Sequence, residues 1–221
     1  MAEEIHAGAA LAHWSDRGQP LVSVVIFVEG GHQGSTKSGC RQAFRTFFEK
    51  VIPRGSFRVI ASGSRRNAFE DFCLALKQNV NDYNILLVDS EEAVVGAPWE
   101  HLAGRQGDDW QPPVRATVEQ AHLMVQVMES WFLADRQALA SYYGQGFTAG
   151  SLPGQPNIEL ISKQDVFNAL KRASKNTKTK GEYHKTKHGF DLLELVDPVL
   201  VRAASAHADR LLTVLQRETT A

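Results

Sequence analysis

Acidic residues follow directly on two apolar runs of this chain. Val24-Val25-Ile26-Phe27-Val28 ends in Glu29-Gly30-Gly31, and Ile85-Leu86-Leu87-Val88 ends in Asp89-Ser90-Glu91-Glu92. Unbroken apolar runs rich in β-branched residues read as central strands of a parallel sheet covered on both faces. Ligands of an open α/β sheet bind in the crevice beyond the carboxyl ends of its strands. Glu29, Asp89 and Glu91 are therefore expected at one edge. Oxygen donors grouped in this way suit a hard cation such as Mg²⁺ or Mn²⁺, which needs only one or two carboxylates when phosphate oxygens complete the shell. Such an ion polarises a phosphodiester and lowers the pKa of a bound water.

Other residues invite a chemical reading. Gly30 to Ser38 form a Gly/Ser/Thr-rich turn between a strand and a helix, ending in Lys37-Ser38. The residue before Lys37 is Thr36, so the G-x-x-x-x-G-K-[ST] phosphate loop is not matched. Backbone N–H groups of this turn, with His32, remain a candidate for holding a phosphate without hydrolysing it. Between Lys171 and Lys187 seven basic residues face the single acid Glu182, and this segment reads as a basic loop able to touch phosphates through charge. Within it, Lys185 and His188 are candidates to assist a departing oxygen, and Tyr183 either stacks on a base or anchors the loop. Glu129 is expected in the first turn of a helix, where the helix dipole favours a negative charge. Asp135, further along, faces another direction.

The elements that must position these groups alternate. After the first strand, Phe44, Phe47, Phe48 and Val51 recur at helical spacing before Pro53, and residues 30–39 are expected as loop. Phe57-Arg58-Val59-Ile60 reads as a strand, and Phe69, Phe72, Cys73, Leu76 and Val80 mark a second helix. Strand, helix, strand, helix, strand predicts βαβ crossovers and a parallel sheet. Residues 93–114, rich in Gly and Pro, read as a long surface excursion. Residues 119–127 are expected as a fourth strand, with a helix from Met128 to about Tyr143. A Gly/Pro linker then leads to a helical tail, with one helix at about Lys163 to Ser174 and a last one after Pro198.

Composition excludes several classes. The 221 residues are 43% apolar and 22% charged, with a formal net charge of −1, as in an ordinary globular protein rather than a disordered chain. No apolar run approaches the roughly 20 residues that span a bilayer. Met1-Ala2-Glu3-Glu4 is acidic and unlike a signal peptide. Cys40 and Cys73, isolated in expected helices, suit a reducing cytoplasm as small core residues.

Val28-Glu29-Gly30 with Val88-Asp89-Ser90-Glu91 resembles the Toprim domain of topoisomerases, primases and related nucleases, over about residues 21–145. The fragments Met128-Glu129-Ser130-Trp131-Phe132-Leu133-Ala134-Asp135 and Tyr183-His184-Lys185, with His188-Gly189, are similar to a bacterial family of Toprim-like proteins of unknown function, often encoded beside an AAA-type ATPase. That arrangement resembles two-component phage-defence nucleases. The resemblance implies an α/β, Toprim-like Rossmannoid fold, with a mostly parallel sheet, helices on both faces and a C-terminal helical extension over residues 157–221. It implies a nuclease in which Glu29, Asp89 and Glu91 hold Mg²⁺ or Mn²⁺. Glu29, Glu129 and Lys185 would be its catalytic residues, and nucleic acid and an ATPase its partners. Glu91 departs from the family pattern, which has Asp there. A non-catalytic interaction module and a phosphate or nucleotide sensor are the alternatives.

Overall fold

An apolar run that does not alternate needs cover on both faces, and the two runs that carry the acidic residues lie at the centre of the sheet. The computed structural model describes residues 23–31, 34–78 and 81–220. Four strands, β1 (Val24–Glu29), β2 (Phe57–Gly63), β3 (Tyr83–Asp89) and β4 (Ala121–Met124), pair in the order β2-β1-β3-β4. All three pairings are parallel. The fold is thus the expected α/β class, a parallel sheet flanked by helices with a helical C-terminal stretch. No helix among the described residues is long and apolar enough to cross a membrane.

Strand residues alternate between two cores, as the period of two requires. Val24, Ile26, Val28, Ile85 and Leu87 face a large core, and Val25, Phe27, Leu86 and Val88 face a smaller one. The large core takes Phe44, Phe47 and Phe48 of α1 (Gly34–Glu49) and runs on through α5 (Lys163–Ser174), α6 (Lys185–Leu195), α7 (Pro198–Ala204) and α8 (Ala206–Thr220). The small core takes Phe72 and Leu76 of α2 (Arg65–Gln78) and Trp99 and Leu102 of α3 (Pro98–Gly104). Each buried side chain of this size contributes about 1.5–3 kcal/mol.

Helix α1, which follows β1, covers one face, whereas α3, which follows β3, covers the other. Chain leaves the adjacent strands β1 and β3 in opposite directions. This reversal is the topological switch point, where an open α/β sheet leaves its crevice. Glu29 and Asp89 are the last residues of those two strands.

Several expected boundaries differ. Helix α1 begins at Gly34, so residues 34–38 are helical rather than loop. Gly31 closes the preceding turn at φ 70, and a Cβ there would lie 2.6 Å from the Lys37 Cα. The expected excursion at 93–114 holds α3, and its Trp99 and Trp110 are buried because both join the small core. The fourth strand is confined to Ala121–Met124. Met128–Ala134 form a 3-10 helix, and Asp135 ends it by capping α4 (Arg136–Tyr143), accepting the Ala138 N–H at 2.9 Å. The last helix is two, divided at Ser205, whose hydroxyl accepts the Ala208 N–H. Lys171 to Lys187 is not a single loop, since it closes α5 and opens α6. The readings at Met1 to Glu4, His32 and Val80 lie outside the described residues.

Candidate functional site

Glu29 ends β1 after a register shift between Val28 and Glu29. Its Oε2 accepts the Asp89 N–H and the Arg65 guanidinium, each at 3.3 Å. Burial raises its pKa most; Arg65 opposes this, and the charge of Glu91 adds to it. Asp89, 3% exposed, accepts the Met128 N–H at 2.7 Å through Oδ1. Its pKa is held well above the usual carboxylate range by burial first, then by the charges of Glu29 and Glu129.

Glu91 reaches the same place by a backbone turn. The N–H groups of Ser90 and Glu91 donate to Met124 and Gln126, extending the β3–β4 ladder past its ends. Glu91 then adopts φ 69, a left-handed conformation that costs a non-glycine residue about 1–2 kcal/mol. Its carboxylate pairs with Lys163. Glu29, Asp89 and Glu91 each offer an oxygen, and these oxygens all lie within 4.8 Å of one another. All the donors are carboxylate oxygens, the set a hard divalent cation takes. Asp89 is buried among like charges, a state that a cation would relieve. The residues fit such an ion.

Glu129 is fully buried. Its Oε1 accepts the Tyr183 hydroxyl at 3.0 Å and lies 3.5 Å from the Lys185 Nζ, while Oε2 has no hydrogen-bond partner among the described residues. A helix-dipole role is therefore too weak a description, because the carboxyl lies inside the protein with one oxygen unsatisfied. Tyr183 is also buried, and burial and the Glu129 charge push its pKa up. It anchors the chain and is not free to stack on a base. Lys185 opens α6. Its side chain is 56% exposed; partial desolvation acts against its charge, but Glu129, Asp89 and Glu29 outweigh it and raise its pKa.

The other candidates separate from this group. His188 is buried, with Nδ1 3.1 Å from the Tyr143 hydroxyl, and burial lowers its pKa. It packs in the helical layer against Tyr142, Tyr143 and Tyr183. Asp135 also accepts the Asp197 N–H at 3.0 Å and is a structural cap. Lys171, Arg172, Lys175, Lys178, Lys180 and Lys187 are exposed. Cys40 is buried, and burial pushes its thiol up to about 12, which keeps it inert.

Arg65 and Lys163 were missed in the sequence. Arg65 bridges the strand ends, reaching the Asp89 carbonyl and Glu29 with one nitrogen and Asp108 with the others. Its signal was available, because Arg65 follows the end of β2 at the same sheet edge. Lys163 carried no signal beyond a place after the Ser162 cap.

The family model described as Domain of unknown function (DUF4276) matches residues 28–216, which include every residue of this site. The chain has no match among curated proteins or among solved structures.

Proposed function

We propose that this chain, which belongs to the family of the Domain of unknown function (DUF4276), is a divalent-metal-dependent hydrolase of nucleic-acid phosphodiesters. One observation carries the reading: three carboxylates from two central strand ends converge within 4.8 Å at the switch point of the sheet. Glu29, Asp89 and Glu91 would hold Mg²⁺ or Mn²⁺. A cation bound there would polarise the phosphodiester and lower the pKa of a water.

The chain's own groups have distinct roles on this reading. Lys185, with its pKa raised, acts as a fixed positive charge toward phosphoryl oxygens rather than as a proton donor. Glu129 positions Lys185 from beneath, and the Tyr183 hydroxyl holds Glu129. Arg65 ties Glu29 to the end of β3. An AAA-type ATPase belongs to the proposal as the partner that the Toprim-like resemblance implies, and its check is co-purification of an ATP-hydrolysing protein with the tagged chain.

The test of the activity is cleavage of labelled DNA and RNA with Mg²⁺ or Mn²⁺, alongside calorimetric titration of each metal. Saturable binding and cleavage, both lost in Asp89→Asn, are expected. Binding that persists in Asp89→Asn, or wild-type protein inert on every substrate, would count decisively against it. One observation favours a non-catalytic interaction module instead: Arg65 and Lys163 already pair with Glu29 and Glu91. On that reading Glu29→Gln and Asp89→Asn leave biological activity intact.

A further inference from the structure

Beside the acidic residues lies an open-sided cavity of about 470 Å³, lined by Arg65, Arg66, Phe69, Arg105, Asp108 and Trp110 among others. Local sequence explains much of it. Arg65 and Phe69 are four residues apart on α2 and share one face of its first turns. The segment leaving α3 returns Asp108 and Trp110 against that face. Phe69 and Trp110 stack with centroids 4.4 Å apart and planes 3° from parallel. The Arg65 guanidinium lies 5.1 Å from the centre of the Trp110 ring. Both rings are thus held at a set angle in the cavity wall.

Charge completes the picture. Asp108 binds Arg65 in a fork at 2.6–3.0 Å and also meets Arg105 at 3.2 Å. Arg66 pairs with the exposed Glu70. Three guanidinium groups therefore face two carboxylates along this wall, leaving it cationic beside a fixed aromatic stack. The hydrolytic roles assigned above use none of it except Arg65. A stacking ring with guanidinium groups beside it is the combination that holds a base and its phosphate in single-stranded nucleic acid. The volume is that of a small-molecule site. It has room for one nucleotide, and a base still stacked inside a duplex has no free face to offer.

We propose that this cavity is a subsite for one unstacked nucleotide of single-stranded nucleic acid, with Phe69, backed by the buried Trp110, as the stacking surface and Arg66 and Arg105 on the phosphates. It rests on the nucleic-acid reading and deepens it, because the Arg65 side chain borders both the cavity and the carboxylates. A strand seated on the stack therefore has its neighbouring phosphate beside Glu29 and Asp89.

The experiment measures anisotropy of a labelled twelve-nucleotide oligo-dT and of a duplex of equal length, with Ca²⁺ present and the full chain. Wild type is expected to bind the single strand at least about tenfold more tightly than the duplex. Phe69→Leu keeps an apolar side chain in place but removes the ring, and should weaken the single-strand complex about tenfold. Phe69→Tyr should restore it. Arg105→Gln should reduce the slope of log K against log salt by about one. Mn²⁺ titration of Phe69→Leu should match wild type, showing that the acidic site is undisturbed. Equal affinity for duplex and single strand, wild-type binding by Phe69→Leu, or equal losses in the Leu and Tyr variants would overturn the subsite. Phe69-dependent binding without cleavage in Mg²⁺ or Mn²⁺ would sink the hydrolase and leave the subsite standing. Cleavage at unchanged KM in Phe69→Leu would do the reverse.

Discussion

Asp89→Asn is expected to stabilise the metal-free protein while removing its response to metal. Asp89 is 3% exposed, and its pKa is raised by burial and by Glu29 and Glu129. A carboxyl whose folded pKa exceeds its ordinary 3.8 contributes stability below that value and loses it as pH rises through the folded pKa. Wherever Asp89 is ionised without metal, that charge is therefore a cost. The cluster oxygens lie within 4.8 Å. Two unit charges at that separation repel by about 3.5 kcal/mol at an effective dielectric of about 20. Lys185 offsets part of this, leaving a cost of about 2 kcal/mol. The amide of Asn keeps an oxygen for the Met128 N–H and can donate toward a neighbouring carboxylate. For a chain of this length the gain is a Tm increase of about 4–8 °C.

Thermal melts at pH 7 in EDTA and in excess Mn²⁺ read both effects. Wild type should gain about 2.7 kcal/mol at a hundredfold excess over Kd, and the variant nothing. The gap between the two proteins in EDTA should also shrink as pH falls through the raised pKa. A variant that melts at or below wild type in EDTA would refute the electrostatic account. So would a gap that does not change with pH.

Three further outcomes are expected. Lys163→Met frees Glu91 from its tethered cation, and calorimetry should show metal binding about tenfold tighter, the equivalent of about 1.4 kcal/mol; weaker binding would mean that Lys163 positions Glu91 rather than competing for it. Burial acts to raise the pKa of Glu159, but hydrogen bonds from His207 and Ser205 outweigh it and bring the pKa down to about 2. Glu159→Gln should therefore cost about 3 kcal/mol above pH 5, with the difference vanishing as pH falls from about 4.5 to 2, in urea titrations. Leu215, fully buried on α8, should cost about 3 kcal/mol on truncation to Ala; a loss near zero would show that this helix is not part of the cooperative unit.

The strands, the parallel sheet and the edge carrying Glu29 and Asp89 were legible because each depends on local chemistry. An unbroken β-branched run must be covered on both faces, and chain direction then determines which end carries the residue that follows. Phe44, Phe47 and Phe48 were legible for the same reason, since a helical period is written in neighbouring residues. Glu91 was legible as a candidate, but its oxygen joins the cluster only through a left-handed turn tied to Gln126. Glu129 shows the limit most clearly. Its own segment describes a helix start, whereas its burial is imposed by Tyr183 and Lys185, far along the chain. The pairing of Lys163 with Glu91 and the Phe69–Trp110 stack arise the same way, where separate elements pack. Sequence by itself determined the three leading strands, the two helices between them and which strand ends carry acid. Tertiary structure alone decided which charges are buried and what neutralises them, because desolvation and ion pairing depend on neighbours that local periodicity does not encode.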